Sequence, residues 1–280
     1  MKSNEFVGVD IGGTKMRLVA CHNGALHEKR LATGYHCNPE TLREGIDAFI
    51  QSLPFAPQGV GMAIPGLLKD GGHILMSNVM PGLNGVDAAF FSRGRYPVHF
   101  INDVDAATLA EAEHHRKAKV LAVILVGTAV GMGLAIDGKL FTGSAGWACE
   151  LGFNIMGLHG EPKRLDELVG GNALLKLAGC DGSAFAAKLN AGDAEAQELV
   201  AKAGRVFGYA ISNVLHLFNP DLLVVGGGTA GYCGFVDKAI ETARQVALPS
   251  HYKHCTFAAP RDPLRIAALG ARAHAKQNTA

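Results

Sequence analysis

The feature that most constrains this chain is a pattern that occurs twice. An apolar strand meets a turn of glycine and threonine, and a second strand runs back. The first copy is Phe6-Val7-Gly8-Val9-Asp10-Ile11-Gly12-Gly13-Thr14-Lys15, after which Met16-Arg17-Leu18-Val19-Ala20 resumes extended. The second is Val120 to Val126, Gly127-Thr128, glycines at 131 and 133, and a returning Leu134-Ala135-Ile136 before an Asp137-Gly138 turn. Apolar runs joined by such turns read as β-hairpins. Gly12 and Gly13 permit positive φ and let backbone N–H groups approach a ligand. Such a loop suits phosphate oxygens, with Asp10 at its mouth to hold a metal ion or a water. An ordinary tight hairpin would use the same residues, so this loop alone decides nothing.

Between and after the hairpins, strands and helices alternate. Ala25 to Ala32 reads as a strand, and Pro39 to Ser52 as a helix with Leu42, Ile46, Phe49 and Ile50 on one face. Gly59 to Ile64 is a strand that stops at Pro65-Gly66, and Ile74 to Leu83 reads as irregular. Val98 to Ile101 is a strand with Asn102-Asp103 at its carboxyl end, followed by a helix from Val104 to His115. The second half is helical from Leu165 to Leu217. A strand at Asp221 to Val225 then runs into Gly226-Gly227-Gly228. A helix over Phe235 to Val246, a strand near Thr256 to Ala258 and a terminal helix from Pro263 to Lys276, with proline in its first turn, complete the reading. This is the α/β class, and the repeated opening implies a duplicated architecture.

Composition excludes several roles. With 26 basic against 25 acidic residues the net charge is +1, and no Lys/Arg run marks a nucleic-acid patch. At 48% hydrophobic residues the chain can fill a core, and no apolar run approaches the length of a membrane span. The N-terminus enters a strand within six residues, which argues against a signal peptide. The six cysteines show no Cys-x-x-Cys spacing and read as free thiols in a reducing cytoplasm.

Four stretches in this order resemble the sugar kinases of the ROK family. They are Asp10 to Lys15, Ile101-Asn102-Asp103, Gly127-Thr128-Ala129-Val130-Gly131-Met132-Gly133 and Val225-Gly226-Gly227-Gly228. Ala63-Ile64-Pro65-Gly66, Glu150-Leu151-Gly152 and Leu269-Gly270-Ala271 fit the same pattern, so the resemblance spans nearly the whole chain. It implies a two-lobed actin/hexokinase-like (ribonuclease H-like) ATPase fold with a cleft between the lobes. Residues 1–116 with a terminal helix over 263–280 would form one lobe, and 117–262 the other. It implies ATP-dependent phosphorylation of a hexose hydroxyl, read as the 6-OH, with Asp103 as the base. A plain helix N-cap is the other role open to Asp103. Asn102, Glu150, Asp166 (or Glu167), Pro65 and Gly66 would touch the sugar, with Asn102 both donating and accepting. Asp10, Gly12, Gly13, Thr14 and Lys15 would face the transferred phosphate, with Asp10 organising Mg²⁺ through water. Gly127 and Thr128 would form the second phosphate loop, and Gly226 to Gly228 would flank the adenosine. A homodimer is also implied.

Within the family, Leu248 to His251, Phe257 to Ala259 and Asn219-Pro220-Asp221 resemble the kinases of D-allose, which implies an aldohexose such as D-allose or a glucose-like sugar. The alternatives are an N-acetylhexosamine kinase and a non-catalytic sugar sensor. A regulator's DNA-binding domain would not fit into the nine residues ahead of Asp10. The chain also departs from the family. Phe153 stands at a usual histidine, and the region around His159 holds no cysteine, so no zinc site is expected. Ala129 and Met132 replace glycines of the second phosphate loop, and Cys149 replaces the glycine before Glu150.

Overall fold

The computed structural model describes residues 5–69, 72–157 and 160–279. Contacts divide the chain into two units. Unit 1 takes the described residues up to His115, the segment Lys139–Ala148 and the chain from Leu264 onward; unit 2 takes Arg116–Gly138 and Cys149–Pro263.

In unit 1 the strands are β1 (Phe6–Ile11), β2 (Lys15–His22), β3 (Ala25–Ala32), β4 (Gly59–Ile64), the short hairpin β5 (Leu67–Lys69) and β6 (His73–Met76), and β7 (Val98–Asn102). The helices are α1 (Pro39–Gln51), α2 (Ala88–Ser92), α3 (Asp103–His114) and, at the end of the chain, α10 (Ile266–Asn278). The main sheet runs β3–β2–β1–β4–β7, with β1 antiparallel to β2 and parallel to β4. Side chains alternate across it. Val7, Val9 and Ile11 join Leu42, Ile46, Phe49, Met62, Ile64 and Phe100 in a core on one face. On the other face a β-carbon at Gly8 would run into the Ala268 carbonyl oxygen, and one at Gly61 into that of Ala271. Gly270 meets the Ala106 carbonyl in the same way. Helix α10 therefore lies backbone-to-backbone against β1, β4 and α3, and it fixes the position of the helix that opens with Asp103.

Two expectations of secondary structure are corrected here. Of the stretch Ile74 to Leu83, read as irregular, Ile74 to Met76 belong to β6, which pairs with β5 and buries Ile74, in strands too short for alternation to announce; Ser77 to Met80 are irregular as expected. Pro263 does not start the last helix. Pro263 to Arg265 form a turn, and Arg265 caps α10 while its Nε donates to Glu28 Oε2 at 2.7 Å. The segment Lys139–Ala148, read from sequence as part of the second half, groups with unit 1. Its strand β10 (Lys139–Leu140) packs Leu140 against Ala63, Ile101, Ala106 and Leu109.

Unit 2 repeats the topology. Strands β8 (Val120–Val126), β9 (Val130–Ile136), β11 (Leu222–Gly226) and β12 (Thr256–Ala258) lie in the order β9–β8–β11–β12. As with β2–β1–β4–β7, one antiparallel pair is followed by parallel neighbours. Its helices are α4 (Asp166–Val169), α5 (Gly171–Ala178), α6 (Gly182–Asn190), α7 (Ala194–Phe218), α8 (Phe235–Val246) and α9 (Pro249–His254). Phe185, Phe207 and Phe235 pack with Ile124, Val126 and Leu134 in its core. Asn219 ends α7 in a left-handed conformation, φ 43°, and Pro220 prevents continuation. Asp221 then accepts the Lys119 and Val120 N–H groups at 2.9 and 3.1 Å, which sets β8 beside β11. Asn219-Pro220-Asp221 thus has a folding role, whatever the sugar. Among the described residues no helix is long and apolar enough to cross a membrane.

Candidate functional site

In unit 1 the candidate residues gather where β1 and β7 end. Asp10 leaves β1 on the face that Gly8 turns toward α10, and its partner across the hairpin is the buried Arg17. Burial pushes the Asp10 carboxyl up to about 6 against the pull of Lys15 and Arg17. Asp103 opens α3. Burial first, and then the charge of Asp10, push its carboxyl up to about 7, although it accepts the Val104 N–H at 3.0 Å. Asp10 has two cations near it and ionises first; Asp103 loses its proton against that charge.

Asn102, rather than Asp103, is the N-cap. Its Oδ1 accepts the Val104 and Asp105 N–H groups at 2.8 and 3.2 Å, and its Nδ2 donates to the Gly66 carbonyl at 3.1 Å. Both Oδ1 lone pairs and one amide hydrogen are thereby taken. The expectation that Asn102 both donates and accepts toward a ligand is corrected: one N–H remains. Capping by Asn102 also removes the plain structural explanation for Asp103.

The first glycine loop closes when Gly12 N–H donates to the Lys15 carbonyl at 2.9 Å; Thr33 Oγ1 donates to the Gly12 carbonyl at 2.6 Å. Neither Gly12 nor Gly13 has positive φ, so the freedom that glycine permits is not used at these two positions. Gly13 is small because a β-carbon would run into Val79 Cγ1. Thr14 is exposed, and Lys15 is half-buried at the start of β2. Pro65 is buried, and Gly66, φ 142°, has no room for a β-carbon beside the Met76 carbonyl.

In unit 2 the candidates form a second group. Gly127 N–H donates to the Ala129 carbonyl, and the Gly127 carbonyl accepts from Gly171 N–H at 2.7 Å and from the buried Thr229 hydroxyl at 2.9 Å. Thr229 ties this loop to the triple glycine. Thr128 and Ala129 are exposed, and Ala129 lacks positive φ, so its methyl brings no backbone strain. Met132 is not in the loop: it lies in β9, buried opposite Ile124. Gly226 packs against Pro260, and Gly227, φ 99°, against the Val126 backbone. Gly228 alone has open space at its β-position. The first two glycines therefore serve the protein's own packing.

Asp166 Oδ1 accepts the Val130 N–H at 2.6 Å, latching α4 to β9. This differs from the freely offered sugar acceptor, and from the solvated acid, that sequence allows. Glu167 is the solvated one: it is exposed, paired with Arg164 at 3.5 Å, and accepts the Arg164 N–H. Partial burial and the charge of Asp166 raise the Glu150 carboxyl. Cys149 beside it adopts φ 68°, the left-handed conformation a glycine would hold without strain. Half of Phe153 is exposed, and the Arg164 guanidinium lies 5.0 Å over its ring.

Among the described residues no three His, Cys, Asp or Glu side chains are grouped to hold a metal; His159 lies outside the described residues. None of the six cysteines forms a disulfide. Sequence reading passed over Arg17, Thr33, Val79, Trp147 and Thr229. For Arg17 a signal existed, since a hairpin pairing Ile11 with Met16 must pair Asp10 with Arg17.

Residues 6–278 match the ROK family. An N-acetylmannosamine kinase from Escherichia fergusonii is 27% identical over 274 residues, 89% of this chain and 94% of the relative. Among solved structures, a ROK hexokinase from Thermus thermophilus superimposes with a TM-score of 0.82 at 24% identity, covering 98% of each chain. A ROK family glucokinase from Streptomyces griseus, in complex with glucose and AMPPNP, does so with a TM-score of 0.81 at 23% identity, over 97% of this chain and 99% of that one.

Proposed function

The chain belongs to the ROK family, and from that premise we propose that it is an ATP-dependent kinase of a hexose. The observation that carries this reading is the Asp103 carboxyl, poised near neutral pH at the start of α3 with Asp10 nearby and capping left to Asn102. A general base works best when its pKa lies near the working pH. Asp103 would take the proton of the hydroxyl, read as the 6-OH, while that oxygen bonds to the γ-phosphorus and ADP leaves. Such a transfer depends mostly on positioning and charge neutralisation.

Within unit 1, Gly12, Gly13, Thr14 and Lys15 are assigned to the transferred phosphate, and Asn102, Pro65 and Gly66 to the sugar. In unit 2, Gly127, Thr128 and the Gly226 to Gly228 turn are assigned to the nucleotide, with Gly228 the glycine open to face it and Gly226 and Gly227 shaping the turn, and Glu150 and Asp166 to the sugar. The Asp10 carboxylate beside a backbone-rich loop fits Mg²⁺, which takes one or two carboxylates and keeps waters and phosphates as its other ligands. Asp10 would hold that ion through water, and the ion would neutralise phosphate charge. A homodimer in a reducing cytoplasm completes the proposal.

D-allose or a glucose-like aldohexose is one proposed acceptor. The relative named as an N-acetylmannosamine kinase gives an N-acylated hexosamine comparable standing. The sensor reading weakens, because Ala129 is unstrained and Met132 belongs to the core. ADP release with Mg-ATP across D-allose, D-glucose, N-acetylmannosamine and N-acetylglucosamine tests the proposal. Asp103→Asn should then lower turnover of the accepted sugar by about 10²–10⁴ while the sugar still binds. Near wild-type turnover by that variant would remove Asp103 from the mechanism.

A further inference from the structure

Trp147 is the only tryptophan of the chain. It sits in a loop that leaves β10, closes where Ala148 N–H donates to the Thr142 carbonyl, and turns through left-handed Gly143 and Gly146. Its indole Nε1 donates to the Leu68 carbonyl at 2.9 Å, yet 45% of the residue stays exposed. Tryptophan is costly to leave in water, and one edge fixed by a hydrogen bond with part of the ring open is the form of a binding surface.

Its location links it to the sugar side of unit 1. Leu68 is two residues beyond Gly66, whose carbonyl holds the side chain of Asn102, which precedes Asp103. Met76, exposed by 41%, follows the same hairpin back, and its carbonyl crowds Gly66. Val79, exposed by 40%, covers Gly13. Trp147 and Val79 thus stand at Leu68 and Gly13, beside residues assigned to sugar and phosphate, and the exposed Met76 lies on the same hairpin.

We propose that Trp147 is a specificity-determining residue: its indole is the platform on which the C–H face of the pyranose ring rests. The inference rests on the kinase reading of the same site. Hydroxyls recognised by Asn102 and Asp103 point outward from a sugar ring, whereas ring C–H groups need an apolar surface. A fixed indole supplies one with little side-chain entropy to lose.

A lone tryptophan makes the test direct. Emission and iodide quenching are followed while the sugar accepted in the kinase assay is titrated without nucleotide, with binding measured in parallel by calorimetry. Asp103→Asn is titrated likewise, so that binding is read apart from turnover. Sugar should shift the emission and reduce quenching with the calorimetric affinity in both proteins. Trp147→Leu should weaken sugar binding about tenfold while kcat and the ATP KM stay within about threefold, and Trp147→Phe should retain most of the affinity. Calorimetric binding that leaves emission and quenching unchanged, or a Trp147→Leu variant within twofold of wild-type affinity, would overturn the platform and leave the kinase reading standing. A protein that neither binds nor turns over any hexose would instead overturn the kinase reading, and the platform with it.

Discussion

The charge of Asp10, at the end of β1, helps hold Asp103, the first residue of α3, protonated up to a pKa of about 7. The strands that deliver the two acids are not neighbours: β4 runs between them, with Asp10 in register with Ala63 and Asn102 with Ile64. Sheet order alone therefore makes one acid part of the other's environment.

This pairing sets a pH dependence for the proposed reaction. A base must be ionised to accept a proton, so kcat/KM for the sugar should rise with pH and level off above about 7. Replacing Asp10 by Asn removes a negative charge and should move the Asp103 pKa downward. Burial, the larger cause, would remain. Carboxyl NMR of the nucleotide-free protein and of Asp10→Asn reads this directly. An Asp103 titration that does not move in the variant would contradict it.

The same acids shape stability. Their folded pKa values, about 6 and about 7, lie above the ordinary 3.8. Between those limits the folded state binds more protons than the unfolded one. Stability from both acids is therefore fully present below about pH 4 and is lost as pH rises to about 7. His274 works in the opposite direction: burial lowers it to about 4, so folding gains as that ring's unfolded form loses its proton toward pH 6.5. A comparison with wild type isolates Asp103. Asp103→Asn should be more stable than wild type at pH 8, by on the order of 2 kcal/mol, with the gain gone near pH 4. Urea unfolding at the two pH values decides it, and an equal difference at both would rule out this linkage.

How much of this was legible depended on sequence distance. Long apolar strands such as Val120–Val126 announced their own bounds, and Asn102-Asp103 announced a strand-to-helix junction, though not which residue caps it. Gly13 looked like a glycine needed for its backbone, whereas its constraint comes from Val79, 66 positions later. Asp166 looked like a ligand acceptor, yet its partner is the N–H of Val130, which no local pattern indicates. The hairpin β5–β6 stayed hidden because three and four residues are too few to establish a period. Trp147 carried no motif at all; only its bond to Leu68 gives it a place.

Cys149 offers a test of backbone strain. A non-glycine residue in the left-handed region is strained by roughly 1–2 kcal/mol. Cys149→Gly should hold or raise the melting temperature, since relief of strain offsets the lost side-chain packing. Cys149→Val should destabilise by about 1–3 kcal/mol, because a β-branched side chain is least tolerated there. Thermal unfolding of the two variants ranks them, and a valine variant as stable as the glycine one would show that φ at 149 is not constrained.

Asp166 separates a structural from a substrate role. Its carboxylate holds the Val130 N–H at the start of β9, just beyond Gly127 and Thr128, and no glycine in that loop could replace the bond. Asp166→Ala would leave this N–H unpaired and should destabilise unit 2 by about 1–3 kcal/mol. Asp166→Asn keeps an acceptor oxygen at the same place, so most of that stability should return. The charge is gone in both variants, and with it the repulsion that helps raise Glu150. If Asp166 also receives a sugar hydroxyl, the Asn variant should fold like wild type yet bind the accepted sugar several-fold more weakly. If the latch is its whole role, sugar affinity should be unchanged in Asp166→Asn, and Asp166→Ala should lose affinity only in step with its stability. Urea unfolding beside sugar calorimetry on the pair distinguishes the two. An alanine variant as stable as wild type would mean that the Val130 bond contributes nothing, and the latch would be withdrawn.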